Sequence, residues 1–213
     1  MIAEVAGETL TLLPERAVWW EAKKTLFVAD VHLGKAAALR NQGAWMPEGA
    51  NDDDLPALTD LIRTKNPVTV VVLGDLWHAK SGRTPDEIAR FKDWCDEHKG
   101  LTTILVEGNH DRRSGPLPGG CGVIELPEGE RMAPFILRHH PEPSPEGYVL
   151  AGHLHPGATL TGGGQRLRLP CFWFGAEVGV LPAFGSLTGC AAVRPKRSDT
   201  VAVVAGDRVI PVT

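Results

Sequence analysis

The sequence predicts an α/β protein, a two-sheet β-sandwich flanked by helices. Three observations carry this reading. Up to Asp111, apolar β-branched runs alternate with stretches of helical spacing, the pattern of parallel strands with helices laid on the sheet. Past Asp111 the helical period disappears, Gly and Pro become frequent, and short apolar runs recur, so this half reads as mostly strand. Finally, five apolar runs each stop at a residue type that binds metals, which points to one site assembled at one sheet edge.

Thr9–Leu12 and Ala17–Trp20 read as short strands around a Pro14-Glu15 turn, and Lys23-Lys24 turns the chain into a strand at Thr25–Ala29. Trp19 and Trp20 are expected to pack in the core. Lys35–Asn41 has good helix formers, and Gln42 to Ala50 reads as a loop. That loop carries Trp45 and Met46, either a partner surface or a buried edge. Asp52-Asp53-Asp54 is expected to cap a helix that presents Leu55, Leu58, Leu61 and Ile62 on one face and ends near Asn66-Pro67. Val68–Leu73 is a strand covered on both faces. Thr84-Pro85-Asp86-Glu87 starts a helix with the stripe Ile88, Phe91, Trp94 and Cys95, ended by Lys99-Gly100. Leu101–Val106 is the next strand. Val123–Leu126, Phe135–Leu137, Tyr148–Ala151, Arg166–Leu169, Val201–Val204 and Val209–Val212 follow as strands, with a hairpin turn at Gly162-Gly163-Gly164.

The 213 residues suit a single domain, 1–213, with 43% apolar and 23% charged residues. A net charge of −4 argues against a broad basic surface for non-specific nucleic-acid binding, but not against a local patch. No apolar stretch is long enough to cross a bilayer, and the N-terminus lacks the basic start and apolar block of a signal peptide, so the cytoplasm is the expected location. Cys95, Cys121, Cys171 and Cys190 form no CxxC pair and read as reduced thiols.

The five strand ends are Asp30-Val31-His32, Gly74-Asp75, Gly108-Asn109-His110-Asp111, His139-His140 and Gly152-His153-Leu154-His155. Asp30 and His32 lie two apart, as do His153 and His155, which in extended chain sends both side chains the same way. Gly74 lets another group approach the backbone beside Asp75. Carboxylates, imidazoles and one amide oxygen form a borderline-hard ligand set suited to Mn²⁺, Fe or Zn²⁺. Seven ligands exceed the needs of one tetrahedral ion and suit two divalent ions sharing a carboxylate. Any one of these residues alone reads more simply as solvated or turn-capping; together and in this order they do not.

This ordered set, with His139-x-Pro141, resembles the calcineurin-like metallophosphoesterase superfamily from about Asp30 to His155. The resemblance implies an αββα four-layer fold and a dinuclear site. One ion would take Asp30, His32, Asp75 and His155, and the other Asp75, Asn109, His139 and His153. His139 rather than His140 fits the family's His-x-Pro. His110 matches the family's catalytic histidine, which contacts the phosphate or protonates the leaving oxygen, and Asp111 is expected to orient its other nitrogen. Arg112 and Arg113 either contact phosphate or are solvated, and His78 either reaches the site or sits in a turn.

Asp30-Val31-His32-Leu33-Gly34-Lys35, Gly74-Asp75-Leu76-Trp77-His78 and the stretches Leu169–Phe174 and Leu181–Gly185 are similar to the bacterial DNA-ligase-associated phosphoesterases. That group implies a ligase, a helicase and an exonuclease as associates in the DNA damage response, and with them DNA as substrate; of the metals the ligand set suits, Mn²⁺ is the first choice. Two alternatives stand beside a DNA endonuclease or end-processing enzyme. One is a phosphodiesterase acting on cyclic or dinucleotide substrates, which the mild acidity favours. The other is a weakly active scaffold subunit, which the complete ligand set opposes. Gly185-Ser186-Leu187-Thr188-Gly189 is not a nucleophile elbow, and the sequence has no P-loop or dinucleotide fingerprint.

Overall fold

A computed structural model of the protein describes residues 1–47 and 53–212. Its first sheet holds seven strands in sequence order: β1 (Ile2–Val5), β2 (Glu8–Leu12), β3 (Val18–Trp20), β4 (Thr25–Val28), β5 (Thr69–Val72), β6 (Thr102–Val106) and β7 (Ile124–Leu126). β1 to β4 run antiparallel, and β4 to β7 are parallel. The parallel part follows from the crossovers α1 (Lys35–Asn41) with α2 (Asp54–Lys65), and α3 (Pro85–Glu97), which return the chain along the sheet face.

The second sheet is built from β8 (Glu130–Met132), β9 (Phe135–Leu137), β10 (Tyr148–Ala151), β11 (Pro156–Gly162), β12 (Gln165–Phe174), β13 (Val178–Val180), β14 (Ala191–Ala192), β15 (Thr200–Ala205) and β16 (Arg208–Pro211). Its order is β14-β11-β12-β13-β10-β9-β8, with β15 also on β12 and β16 on β15. β9, β10 and β13 are parallel, whereas β12 runs against β13.

Side-chain alternation sorts the core into layers. Trp20, Phe27, Val71, Leu73 and Val106 meet Phe135, Leu137, Leu150, Phe172 and Phe174 between the sheets. Leu26, Val28, Val70, Val72 and Leu105 point the other way, into Leu58 and Leu61 of α2 and Phe91 and Trp94 of α3. β4 is therefore buried on both faces, as its unbroken apolar run implies. Among the described residues the α-helices, four in number, all precede Gly115, and Ile136, Val149 and Ala151 on the outside of the second sheet form a small cluster of their own. Among the described residues no helix is long and apolar enough to cross a membrane.

Several local expectations change. Asn109–Ser114 is a short helix, α4, where the sequence shows only the end of a strand. Six residues are too few to show a period, and the helix is started by the Asp111 carboxylate, which accepts the Gly108 N–H. Of the acidic run, Asp52 lies outside the described residues, as does the end of the loop at 48–50. Asp53 makes no side-chain cap, and Asp54 is buried, accepting the Ser186 N–H. Trp45 is 86% exposed. The Gly163-Gly164 turn forms with both residues at positive φ, but β12 runs on through Pro170 to Phe174.

Candidate metal centre

Each of the five strand ends lies at the C-terminal end of a parallel strand: β4, β5 and β6 in one sheet, β9 and β10 in the other. The sandwich brings these edges together. Asp30, His32, Asp75 and His139 are buried there, with exposures of 0 to 2%.

The backbone at this edge is not extended. Asp30, His32, Asp75, His153 and His155 all have left-handed φ, at 53°, 55°, 53°, 69° and 45°. The two-residue spacing therefore converges through paired left-handed turns, not through strand alternation. Each such residue costs on the order of 1–3 kcal/mol and persists only where the surroundings fix it. Here the Asp30 N–H donates to Gly74 O, the His32 N–H to Asp75 O, and the Gly185 N–H to Asp30 O.

Donor atoms gather in two groups. In the first, His155 Nε2 lies 3.3 Å from Asp30 Oδ1 and 3.3 Å from His32 Nε2. In the second, His139 Nε2 lies 3.0 Å from Asn109 Oδ1, 3.0 Å from His153 Nδ1 and 3.3 Å from Asp75 Oδ2. Asp30, Asp75 and His139 also present atoms within 4.8 Å of one another, which joins the groups. Asp30 Oδ1 is buried without a hydrogen bond. A buried orphan carboxylate oxygen facing imidazole nitrogens is costly unless a cation sits among them, so the residues fit divalent metal.

Electrostatics agrees. Burial would raise the Asp75 carboxyl, but the hydrogen bond and charge of His139 and the His110 N–H outweigh it and hold it at about 2, so Asp75 is ionised. Burial also opposes charge on His139, yet Asp75 and Asp30 draw it up to about 8. Burial drives His32 down to about 2, leaving a neutral imidazole with a lone pair to give.

His139 and His140 are separated by their partners. His139 Nδ1 sits 3.1 Å from Leu73 O, which turns Nε2 toward Asp75. His140 Nδ1 is 2.8 Å from Glu128 Oε1, though His139, His140 and His153 also form a geometric ligand group. The Glu128 carboxylate accepts the backbone N–H of both His139 and His140 and so pins this loop.

His110 sits at the rim, its Nε2 4.0 Å from Asp75 Oδ2. The expectation that Asp111 orients its ring is not met. The Asp111 oxygens accept the N–H groups of Trp77 and Gly108, and burial pushes this carboxyl up to about 6. The ring is oriented by the His78 carbonyl at His110 Nδ1; a carbonyl only accepts, so Nδ1 carries the proton. The His78 ring stacks on that of His110 at 5.0 Å and meets His32 edge-on at 5.2 Å, so His78 belongs to the site. Arg112 lies 3.8 Å from Glu128 and 3.9 Å from Glu107, while Arg113 is exposed on α4.

Sequence reasoning passed over Glu128 and Lys35. Lys35 Nζ is 3.3 Å from Thr188 Oγ1 and half-buried, which lowers its pKa, and its charge is felt at His32 and His78. It lies next to Gly34 in the Asp30–Lys35 stretch, but nothing in the spacing marked it as distinct from a helix-starting lysine.

Comparison with known proteins follows the same lines. Residues 23–155 match the family described as calcineurin-like phosphoesterase. The crystal structure of Pseudomonas putida nuclease MPE superposes with a TM-score of 0.89 and 36% identity, covering 100% of this chain and 99% of that one. A phosphoesterase from E. coli, YfcE, aligns over 87% of this chain and 96% of its own, at 17% identity and a TM-score of 0.40. No curated protein sequence matches. A family match over residues 23–155, with donor atoms from five strand ends gathered at one edge, establishes that the chain belongs to the calcineurin-like phosphoesterases, metal-dependent hydrolases of phosphate esters.

Proposed function

We propose that the chain is a metal-dependent DNA phosphodiesterase, an endonuclease or end-processing enzyme, working as a single cytoplasmic domain in a ligase-associated damage response. A DNA ligase, a helicase and an exonuclease are its proposed associates. The observation that carries the substrate class is the 36% identity, over the whole chain, to a protein described as a nuclease.

In this reading Asp30, His32, Asp75 and His155 hold one divalent ion, and Asp75, Asn109, His139 and His153 hold the second. Mn²⁺ is the metal of choice, with Fe and Zn²⁺ also compatible with the ligand set. When bound, the ions supply positive charge against the phosphate and make a water more acidic. The chain's own residues do the rest. Asp75 stays ionised between the two groups. Asn109 contributes a neutral oxygen, which keeps the charge of the site positive toward an anionic ester. His110 is tethered through Nδ1–H to the His78 carbonyl, so its Nε2 is the nitrogen free to meet the substrate; as the imidazolium it would pass the Nε2 proton to the leaving oxygen and be left as the neutral Nδ1–H ring. Asp111 acts only through the loop it caps.

The test is cleavage of single-stranded DNA, duplex DNA and a cyclic nucleotide with Mn²⁺ at physiological salt. Cleavage of DNA is expected. Hydrolysis of the cyclic nucleotide alone would replace the DNA reading with that of a small-molecule phosphodiesterase.

A further inference from the structure

The β11–β12 hairpin leaves the metal edge directly, since β11 begins one residue after His155. Its height over the site follows from register. Ala151 of β10 pairs with Val180 of β13, and Val180 pairs with Trp173 of β12. Trp173 is thus level with Ala151, two residues before His153. β12 runs the opposite way to β10, so its earlier residues project beyond the edge that carries the ligand loops. At about 3.4 Å per residue, Arg168 stands roughly 17 Å past the level of Ala151, and Arg166 roughly 24 Å.

The face is fixed by packing. Leu169 and Cys171 join Val201 and Val203 in the cluster on one side of the sheet, whereas Phe172 enters the core between the sheets. Even-numbered positions of β12 therefore face inward, toward the first sheet, and Arg166 and Arg168 share that face. A Cβ placed on Gly157 would lie 3.3 Å from Arg168 Cγ, so the arginine stem crosses the chain two residues after His155. Arg194 lies close by, because the preceding Val193 N–H donates to Gly157 O.

This surface is basic in a chain whose net charge is −4. Residues 156–176 and 178–198 contain no Asp or Glu, yet include Arg166, Arg168, Arg194, Lys196 and Arg197. All five are exposed, and Arg166, Arg168 and Arg194 have no side-chain partner among the described residues. Unpaired arginines on one strand face, about 7 Å apart, match the separation of successive phosphates along an extended nucleic-acid strand.

We propose that the overhanging inner face of the β11–β12 hairpin, with Arg166, Arg168 and Arg194, is a phosphate track that holds a single nucleic-acid strand beside the scissile bond. The inference rests on the nuclease reading and gives that site its substrate class. A single file of cations serves one strand. The track contacts backbone and reads no bases.

The test compares wild type with the Arg166→Ala/Arg168→Ala double variant, and with Arg63→Ala, on the remote α2, as control. Metal-free binding of a fluorescent oligodeoxythymidine is followed by anisotropy across a salt series, beside Mn²⁺-dependent hydrolysis of an aryl phosphodiester. Loss of two phosphate contacts lowers the slope of log affinity against log salt by about 1.4, at ~0.7 per contact for a single strand. The double variant should bind the strand more weakly and cut it with a raised KM, while aryl ester hydrolysis and thermal midpoint stay at the wild-type values. If wild type cuts the strand and the double variant binds it with unchanged affinity and salt slope, the track is refuted and the nuclease reading stands. If wild type hydrolyses the aryl ester but neither binds nor cuts DNA, both fall.

Discussion

Replacing Gly108 by Ala adds one methyl group at the centre of the site. The backbone there (φ −91°, ψ 175°) suits alanine, so the effect is steric alone. The new Cβ would stand 2.5 Å from Asp75 N and nearer still to Asp75 Oδ1. Neither atom can yield cheaply. Asp75 Oδ1 accepts the His110 N–H at 2.9 Å, and the Asp75 carbonyl accepts the His32 N–H at 2.9 Å. Overpacking of this kind costs about 1–3 kcal/mol, which a domain stable by roughly 5–15 kcal/mol survives. The consequence for activity is larger, since a displacement of about 1 Å at reacting groups lowers rates on the order of 10²-fold. Gly119→Ala is the control, because a Cβ there meets nothing within 4 Å. The assay is Mn²⁺-dependent hydrolysis of an aryl phosphodiester, with thermal unfolding of both variants. Gly108→Ala should fold and lose about two orders of magnitude in rate. Activity equal to that of Gly119→Ala would refute the reasoning that Asp75 must hold its position.

The remaining expectations concern neighbouring groups. His110→Ala should lower kcat by about 10²–10⁴-fold, read by steady-state kinetics, with metal content by elemental analysis unchanged because the ring is not among the proposed ligands. Asp111→Ala strips the acceptors from the buried N–H groups of Trp77 and Gly108 and should cost about 1–3 kcal/mol for each, read as a lower denaturation midpoint. Metal should stabilise the fold. At a hundredfold excess over Kd, Mn²⁺ adds about 2.7 kcal/mol, which for a chain of this size raises Tm by about 5–11 °C over the chelated protein.

That these side chains gather at one edge was legible in the sequence because each candidate ligand follows an apolar run. A strand buried on both faces must end somewhere, and Asp, Asn or His placed at that end escapes the cost of unpaired burial. Strand direction then does the assembly: parallel strands put all their C-terminal ends on one side. What adjacency suggested about fine geometry was less secure. Asp111 neighbours His110 in sequence, yet α4 turns its carboxylate inward to the Trp77 and Gly108 N–H groups, and a carbonyl from Ala79's neighbour His78 orients the ring instead. Asp-x-His looks extended on paper, but opposed left-handed residues form it. Glu128 reads as a loop acid, and only the fold brings it under His139 and His140. The arginines of β12 were visible as residues, but their place above the metal edge depends on the pairing through β13, which no local pattern encodes.

Two ions held on either side of Asp75 are the centre of the proposed chemistry. Crystals of the Mn²⁺-loaded protein, measured for manganese anomalous scattering, address that directly. Two peaks flanking the Asp75 carboxylate are predicted, one within the reach of Asp30, His32 and His155 and the other within that of Asn109, His139 and His153. A single peak, or peaks that Asp75 does not touch, would contradict it.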